Sequence, residues 1–142
     1  ITGGNIHTTG SLSNGEANGG DIVRYLAING SFQGKVVYNT GADWRLADKD
    51  DEAKVNSMLG VALGDDGTYD VLVRGFVRLA SGAIADAGGD DGDPLYLSDD
   101  GTVKFAPSTT AGDFNKVIGF CINESDDLIW FDPDKTWVEV AS

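Results

Sequence analysis

Six short apolar or alternating segments follow one another through the C-terminal part of the chain. They span residues 58–63, 69–79, 94–98, 103–107, 116–123 and 128–132. Clusters of Asp, Gly, Asn and Ser, such as Asp65-Asp66-Gly67, separate them. Short strands that recur about every 8–12 residues between such turn residues are typical of antiparallel sheets. The pattern therefore predicts an all-β fold, a small antiparallel β-barrel or sandwich.

The clearest alternation lies in residues 69–79. It predicts a strand with Val71, Val73, Gly75, Val77 and Leu79 on one face. The opposite face would hold the intervening residues, which mix apolar side chains with arginines. We expect that face to be half exposed, because arginine stems can lie along apolar surface while their charged ends reach water.

The period changes to that of a helix in residues 47–59. Asp48 is positioned to cap a helix, Val55, Met58 and Leu59 have i, i+3, i+4 spacing, and Gly60 could end the helix. We predict one short helix here, and the alternative is an irregular acidic loop that leads into the next strand. Upstream, Asn29-Gly30 predicts a hairpin turn between an apolar segment at 22–28 and a strand at 35–39.

The first 21 residues contain six glycines and almost no large apolar side chains. Burial of such a segment by itself does not offset the entropy that ordering costs. We therefore predict an extended arm, residues 1–21, that folds only against another surface, followed by a single β-domain, residues 22–142. A disordered tail is the alternative.

The chain is strongly acidic, with 10 Lys and Arg against 23 Asp and Glu and a net charge of −13. Nucleic-acid binding depends on cations that neutralise phosphates, so this charge argues against DNA or RNA as a partner. An anionic membrane surface is disfavoured for the same reason. An acidic surface can be explained by the solubility that it gives the protein. The more specific explanations are contact with a basic partner and binding of calcium.

Catalytic and metal-binding patterns do not emerge from the sequence. Its single cysteine, Cys121, lies in an apolar segment and is expected to be a buried filler, and its single histidine, His7, lies in the arm. Neither a catalytic triad nor a multi-histidine zinc site can be built from these residues. We therefore expect no enzymatic activity and no cofactor.

The aspartate clusters could in principle provide calcium ligands or the carboxylate pair of a glycosidase. Asp90-Asp91-Gly92-Asp93 does not match the spacing of a calcium-binding loop. A glycosidase needs two carboxylates that face each other across a cleft, one of them in apolar surroundings, whereas these acids fall in turns. The favoured interpretation is turn chemistry, because Asp and Gly are common turn residues.

Aromatic and arm residues are the candidates for intermolecular contacts. Tryptophans bury large areas and often anchor interfaces. We predict interface roles for Ile6, His7, Leu12, Trp44 and Trp137, and a core position for Trp130. A carbohydrate-binding platform formed by the tryptophan rings is the alternative.

Residues 58–142 resemble a β-structured module of tailed-bacteriophage virion proteins, found in capsid decoration (cement) proteins and in fibre or tail components. The resemblance lies in the order of these stretches: Met58-Leu59-Gly60-Val61-Ala62-Leu63-Gly64, Val73-Arg74-Gly75-Phe76-Val77, Gly92-Asp93-Pro94-Leu95-Tyr96-Leu97-Ser98, Val117-Ile118-Gly119-Phe120, Ile129-Trp130-Phe131-Asp132-Pro133 and Trp137-Val138-Glu139-Val140. It implies a small β-barrel, commonly trimeric, without catalytic residues.

The expected function is a structural protein that decorates the capsid exterior, with copies of itself and the major capsid protein or another virion protein as partners. A long arm could add a strand to the sheet edge of a neighbouring subunit. The alternative function is a receptor- or glycan-binding module of a tail fibre, which predicts exposed aromatic side chains along a groove.

Overall fold

The computed structural model describes residues 12–17 and 19–141. An antiparallel sheet of nine strands curls into a half-barrel, which confirms the predicted all-β class. Its strands are β1 (Asp21–Val23), β2 (Val36–Asn39), β3 (Trp44–Leu46), β4 (Leu59–Ala62), β5 (Val71–Arg78), β6 (Pro94–Leu97), β7 (Val103–Lys104), β9 (Val117–Asn123) and β10 (Leu128–Phe131). A second, two-stranded sheet pairs β8 (Phe114–Asn115) with β11 (Val138–Glu139).

The strand order of the large sheet is β3-β2-β4-β5-β10-β9-β6-β7, and β1 also pairs with β5. Each of the six segments predicted between residues 58 and 132 contains one strand, although β7 has only two residues. The main core fills the concave side and includes Val77, Leu95, Ile118, Cys121 and Phe131, all with no exposed surface. This burial confirms that Cys121 is a core residue.

A second, smaller core covers the other face of the sheet near β2 and β4. Val36 belongs to the main core, whereas its neighbour Val37 packs with Ile28 and Trp44 in the second core. Because successive side chains of a strand point to opposite faces, both faces of this part of the sheet are buried. The chain between β1 and β2 provides the cover.

The predicted alternation of β5 is wrong in its first half. Leu72 and Val77 both pack in the main core although they are an odd number of residues apart, and Val71 packs in the second core instead. The pairing of β5 with β1 shifts register between them: Asp21 pairs with Arg74 but Ile22 pairs with Leu72, so Val73 is an extra residue in β5. This bulge exchanges the two faces of the strand.

The helix α1 (Glu52–Asn56) is shorter than the predicted 47–59. Asp51, rather than Asp48, caps it by accepting a hydrogen bond from the amide of Ala53 at 2.9 Å. Gly60 lies in β4 and not at the helix end. A Cβ at Gly60 would overlap Cγ1 of Val71 and lie 3.6 Å from the Trp44 ring, so glycine is needed for close packing.

Asn29-Gly30 does not form the predicted hairpin. Ile28 instead pairs in parallel with Trp44, and the amide of Gly30 donates a hydrogen bond to Asp66. The hairpin in this region connects β2 to β3 through residues 40–43. Burial of Ile28 and Trp44 in the second core holds the segment across the sheet, which overrides the local turn signal.

The described part of the predicted arm is hydrogen-bonded to the chain's own sheet. The Gly15 amide donates to the Arg78 carbonyl at 2.6 Å, the Arg78 amide donates to the Glu16 carbonyl at 2.9 Å, and Ala17 pairs with Val77. Residues 12–17 and 19–21 thus lie along one side of β5 and contact their own chain. Residues 1–11, with the interface candidates Ile6 and His7, lie outside the described residues.

Candidate assembly surface

Three aromatic side chains form a row across the convex face of the sheet. Trp130 of β10 lies directly opposite Phe76 of β5 on one side and Phe120 of β9 on the other. Phe76 and Phe120 are each 43% exposed, and Trp130 is half-buried. Pro94 of β6, which is exposed, lies opposite Phe120 and extends the row to a fourth strand. We call Phe76, Trp130 and Phe120 the aromatic row.

The pleat of the strands explains why these residues point outward. Their sequence neighbours Val77, Cys121, Ile129 and Phe131 have no exposed surface and form the main core. Alternation then places the aromatic residues on the opposite face. Ile122, which is 38% exposed, lies beside the row on β9. Since the core is complete without them, these side chains are an apolar patch on the surface of the fold.

Trp130 is held in place by its neighbours. Its ring and that of Phe76 meet edge to face, with centroids 4.8 Å apart and planes at 63°. The Arg74 guanidinium lies over the Trp130 ring, 5.7 Å from the centroid, and Arg74 Nε is 3.6 Å from a carboxylate oxygen of Asp132. One face of the indole is therefore covered by a cation, and its edge-to-face contact with Phe76 is of the kind that aromatic pairs prefer.

The two ends of the row differ in charge. Arg74 and Arg78 lie on β5, at the Phe76 end. The acidic turn 90–93 precedes β6, at the Phe120 end. The patch therefore has two arginines beside one end and aspartates beside the other, and within the chain Arg74 lies near Asp132 while Arg78 donates to the Leu12 carbonyl.

Both end strands of the large sheet already have backbone partners. The Val103 amide of β7 donates to the Ala83 carbonyl, and the Ala85 amide donates to the Val103 carbonyl. At the other end, the Trp44 amide of β3 donates to the Ala27 carbonyl. Addition of a neighbour's strand at either end would have to displace these bonds. The convex face is thus the more accessible surface for docking.

The three predicted interface residues that the structure describes do not gather at this surface. Trp44 is 1% exposed, and its indole N–H donates to the Tyr25 carbonyl in the second core, which corrects the interface prediction for this residue. Trp137 is half-buried against the main core. Leu12 is also half-buried, and its carbonyl accepts a hydrogen bond from Arg78. Trp130, which the sequence placed in the core, is instead part of the convex face.

The sequence pattern did not indicate Phe76 or Phe120. Each alternates with buried residues in an ordinary strand, so the two do not stand out along the chain. Only the pairing register places both beside Trp130, and register depends on contacts between distant segments.

Several aspartates of the acidic clusters accept hydrogen bonds from backbone amides. Asp91 accepts from the Glu124 amide and Asp93 accepts from the Asp90 amide, at 3.1 and 2.9 Å. Asp65 and Asp66 accept from the amides of Gln33 and Gly30. These contacts support the interpretation that the clusters stabilise turns.

Within residues 12–17 and 19–141, His, Cys, Asp and Glu side chains form no group of three or more that could hold a metal ion. Burial, assisted by the nearby Asp91 carboxylate, raises the pKa of the Cys121 thiol to about 11, so the thiol stays protonated at neutral pH. Among the described helices none has the length and apolar character to cross a membrane.

Comparisons with protein-family models, with curated proteins and with solved structures gave no match to this chain.

Proposed function

We propose that this protein is a structural protein of a tailed-bacteriophage virion, which assembles as a homotrimer and stabilises the capsid from outside. The observation that carries the proposal is the aromatic row, an apolar patch on a face that the chain's own core leaves uncovered. Burial of such a patch between subunits contributes free energy to association in proportion to the apolar area removed from water.

The charges at the two ends of the row favour a cyclic assembly. A patch with opposite charges at its two ends can pair with its own copy about a two-fold axis or meet the next copy head to tail in a closed ring, and the proposed trimer uses the head-to-tail arrangement. The end with Arg74, whose side chain is 58% exposed, would face the acidic turn 90–93 of the next copy, with the apolar residues between them. This arrangement offsets part of the repulsion expected between chains that each carry a net charge of −13.

The covered edges of the sheet change how subunits are expected to meet. Since residues 83–85 and 27–29 already pair with the two end strands, we place the subunit contact on the convex face. The net negative charge also agrees with a position outside a shell that is filled with DNA, because it disfavours binding to the packaged nucleic acid.

A receptor- or glycan-binding module of a phage fibre is the second candidate, since exposed aromatic side chains also bind sugars. Sugars stack on open ring faces. Arg74 already covers one face of Trp130, and Phe76 meets the same ring at 63°. These contacts favour a protein as the partner over a glycan.

The test compares wild-type protein with the double variant Phe76→Ser, Phe120→Ser by light scattering coupled to gel filtration, and then by cosedimentation with capsids that lack the protein. We expect a wild-type trimer that binds capsids, and a folded variant monomer that binds them weakly. Tyr25→Ser is the matched control, because Tyr25 is 75% exposed and lies away from the row. A monomeric wild type that binds glycan arrays and ignores capsids would favour the fibre function.

A further inference from the structure

A cleft of about 360 Å³ lies between the end of α1 and the turn that follows β10. We call it the Lys116 cleft. The side chains of Met58, Val73 and Pro133 give it an apolar part, and Arg74, Lys116 and Lys135 line it as well. Three of the ten Lys and Arg residues of this acidic chain therefore meet at one cleft.

Lys116 is the most unusual of these residues. Only 5% of it is exposed, and its ammonium donates one hydrogen bond, to the Val55 carbonyl at 2.9 Å. The ammonium also lies 5.7 Å from the centre of the Trp137 ring. Among the described residues, the ion pairs closer than 4.0 Å do not include Lys116.

An ammonium group has three donors, and burial of a charge without an opposite charge is costly. Desolvation lowers the pKa of Lys116, and the attraction of the more distant Asp134 does not compensate for it. A carboxylate that entered the cleft would provide the missing opposite charge.

The lining also restricts the ligand. Asp132 and Asp134 border the cleft and would repel a doubly charged anion such as phosphate. The apolar residues at Met58, Val73 and Pro133 would contact an aliphatic stem.

We propose that the Lys116 cleft binds a single carboxylate on a short aliphatic stem, such as a glutamate side chain or the C-terminal carboxylate of a partner polypeptide. The competing explanation is that Lys116 only neutralises the carbonyl at the C-terminal end of α1. A capping role alone gives the cleft no affinity for carboxylates, so the two explanations are distinguishable. The site does not depend on the proposed function of the aromatic row.

The experiment titrates the full chain, labelled with ¹⁵N, with acetyl-glutamate amide and follows the indole signal of Trp137 by NMR. We expect saturable binding with a Kd on the order of 1 mM, as for a ligand of about a dozen heavy atoms. Acetyl-glutamine amide, which has the same shape without the charge, should bind at least about tenfold more weakly. Acetyl-leucine with a free carboxylate tests the C-terminal source of the same chemistry.

Three variants make the test specific. Lys116→Met keeps the stem and should abolish binding of acetyl-glutamate amide, while Lys104→Met, which removes a cation outside the cleft, should leave it unchanged. Asp134→Asn should tighten binding several-fold, because it removes a repulsive charge. Equal binding of both amides, an unchanged Kd in Lys116→Met, or phosphate binding as tight as that of the carboxylates would each overturn the proposal.

Discussion

Replacement of Gly119 by alanine tests how closely the strands beneath the aromatic row are packed. Gly119 of β9 lies between Leu95 of β6 and Phe131 of β10, so both sides of its backbone belong to sheet ladders. A Cβ built at this position would overlap the carbonyl oxygen of Trp130 and lie 3.2 Å from the Cα of Phe131. Backbone atoms on a central strand cannot move aside without loss of ladder hydrogen bonds.

The expected cost combines two effects. Overpacking costs about 1–3 kcal/mol, and a weakened backbone hydrogen bond adds about 1 kcal/mol. We therefore expect Gly119→Ala to lower the free energy of unfolding by about 3 kcal/mol. For a chain of this length, that change corresponds to a fall in Tm of roughly 6–12 °C.

Gly112→Ala is the matched control. Gly112 has a φ of +87°, but a Cβ there would meet nothing within 4 Å, so only the left-handed conformation is penalised, by about 1–2 kcal/mol. Urea titration of the two variants, followed by circular dichroism, gives both free energies. If Gly119→Ala is no more destabilising than Gly112→Ala, the close packing of β9 against β10 is wrong.

Two further predictions concern the cores. Trp44→Ala should destabilise the fold by about 3–5 kcal/mol in urea titration, because Trp44 is buried in the second core. If the variant instead loses assembly with unchanged stability, Trp44 has the interface role that the sequence predicted. The pKa of Lys116 is lowered, so the cost of burying its charge is fully present below that pKa and is relieved as the pH rises through it. Wild-type protein should therefore gain stability relative to Lys116→Met in the alkaline range below the ordinary lysine pKa, whereas a constant difference would contradict the burial of a charged amine.

The strands were predictable because turn residues separate them. Short clusters of Asp, Gly, Asn or Ser follow most strands after residue 58, and those turns depend on neighbours in sequence alone. The helix was predictable only in part: Val55 is buried as expected, but the pattern from Leu59 onward belongs to β4. An apolar pair such as Met58-Leu59 fits either period, and the sheet pairing decides between them.

The surface was much less predictable than the strands. Trp44 looked like an interface residue because nothing in the sequence shows that the chain between β1 and β2 folds back to cover it. The bulge at Val73 likewise depends on the pairing of β5 with β1, which is distant in sequence. The aromatic row exists only through the register of β5, β10 and β9, so single-strand patterns could not reveal it.

A cryo-EM reconstruction of the intact virion tests the central claim most directly. The account predicts this protein on the outer surface of the capsid, as groups of three copies, with Phe76, Trp130 and Phe120 buried where two copies meet. Density for the protein on a tail fibre, or on the capsid with the aromatic row facing solvent, would contradict it.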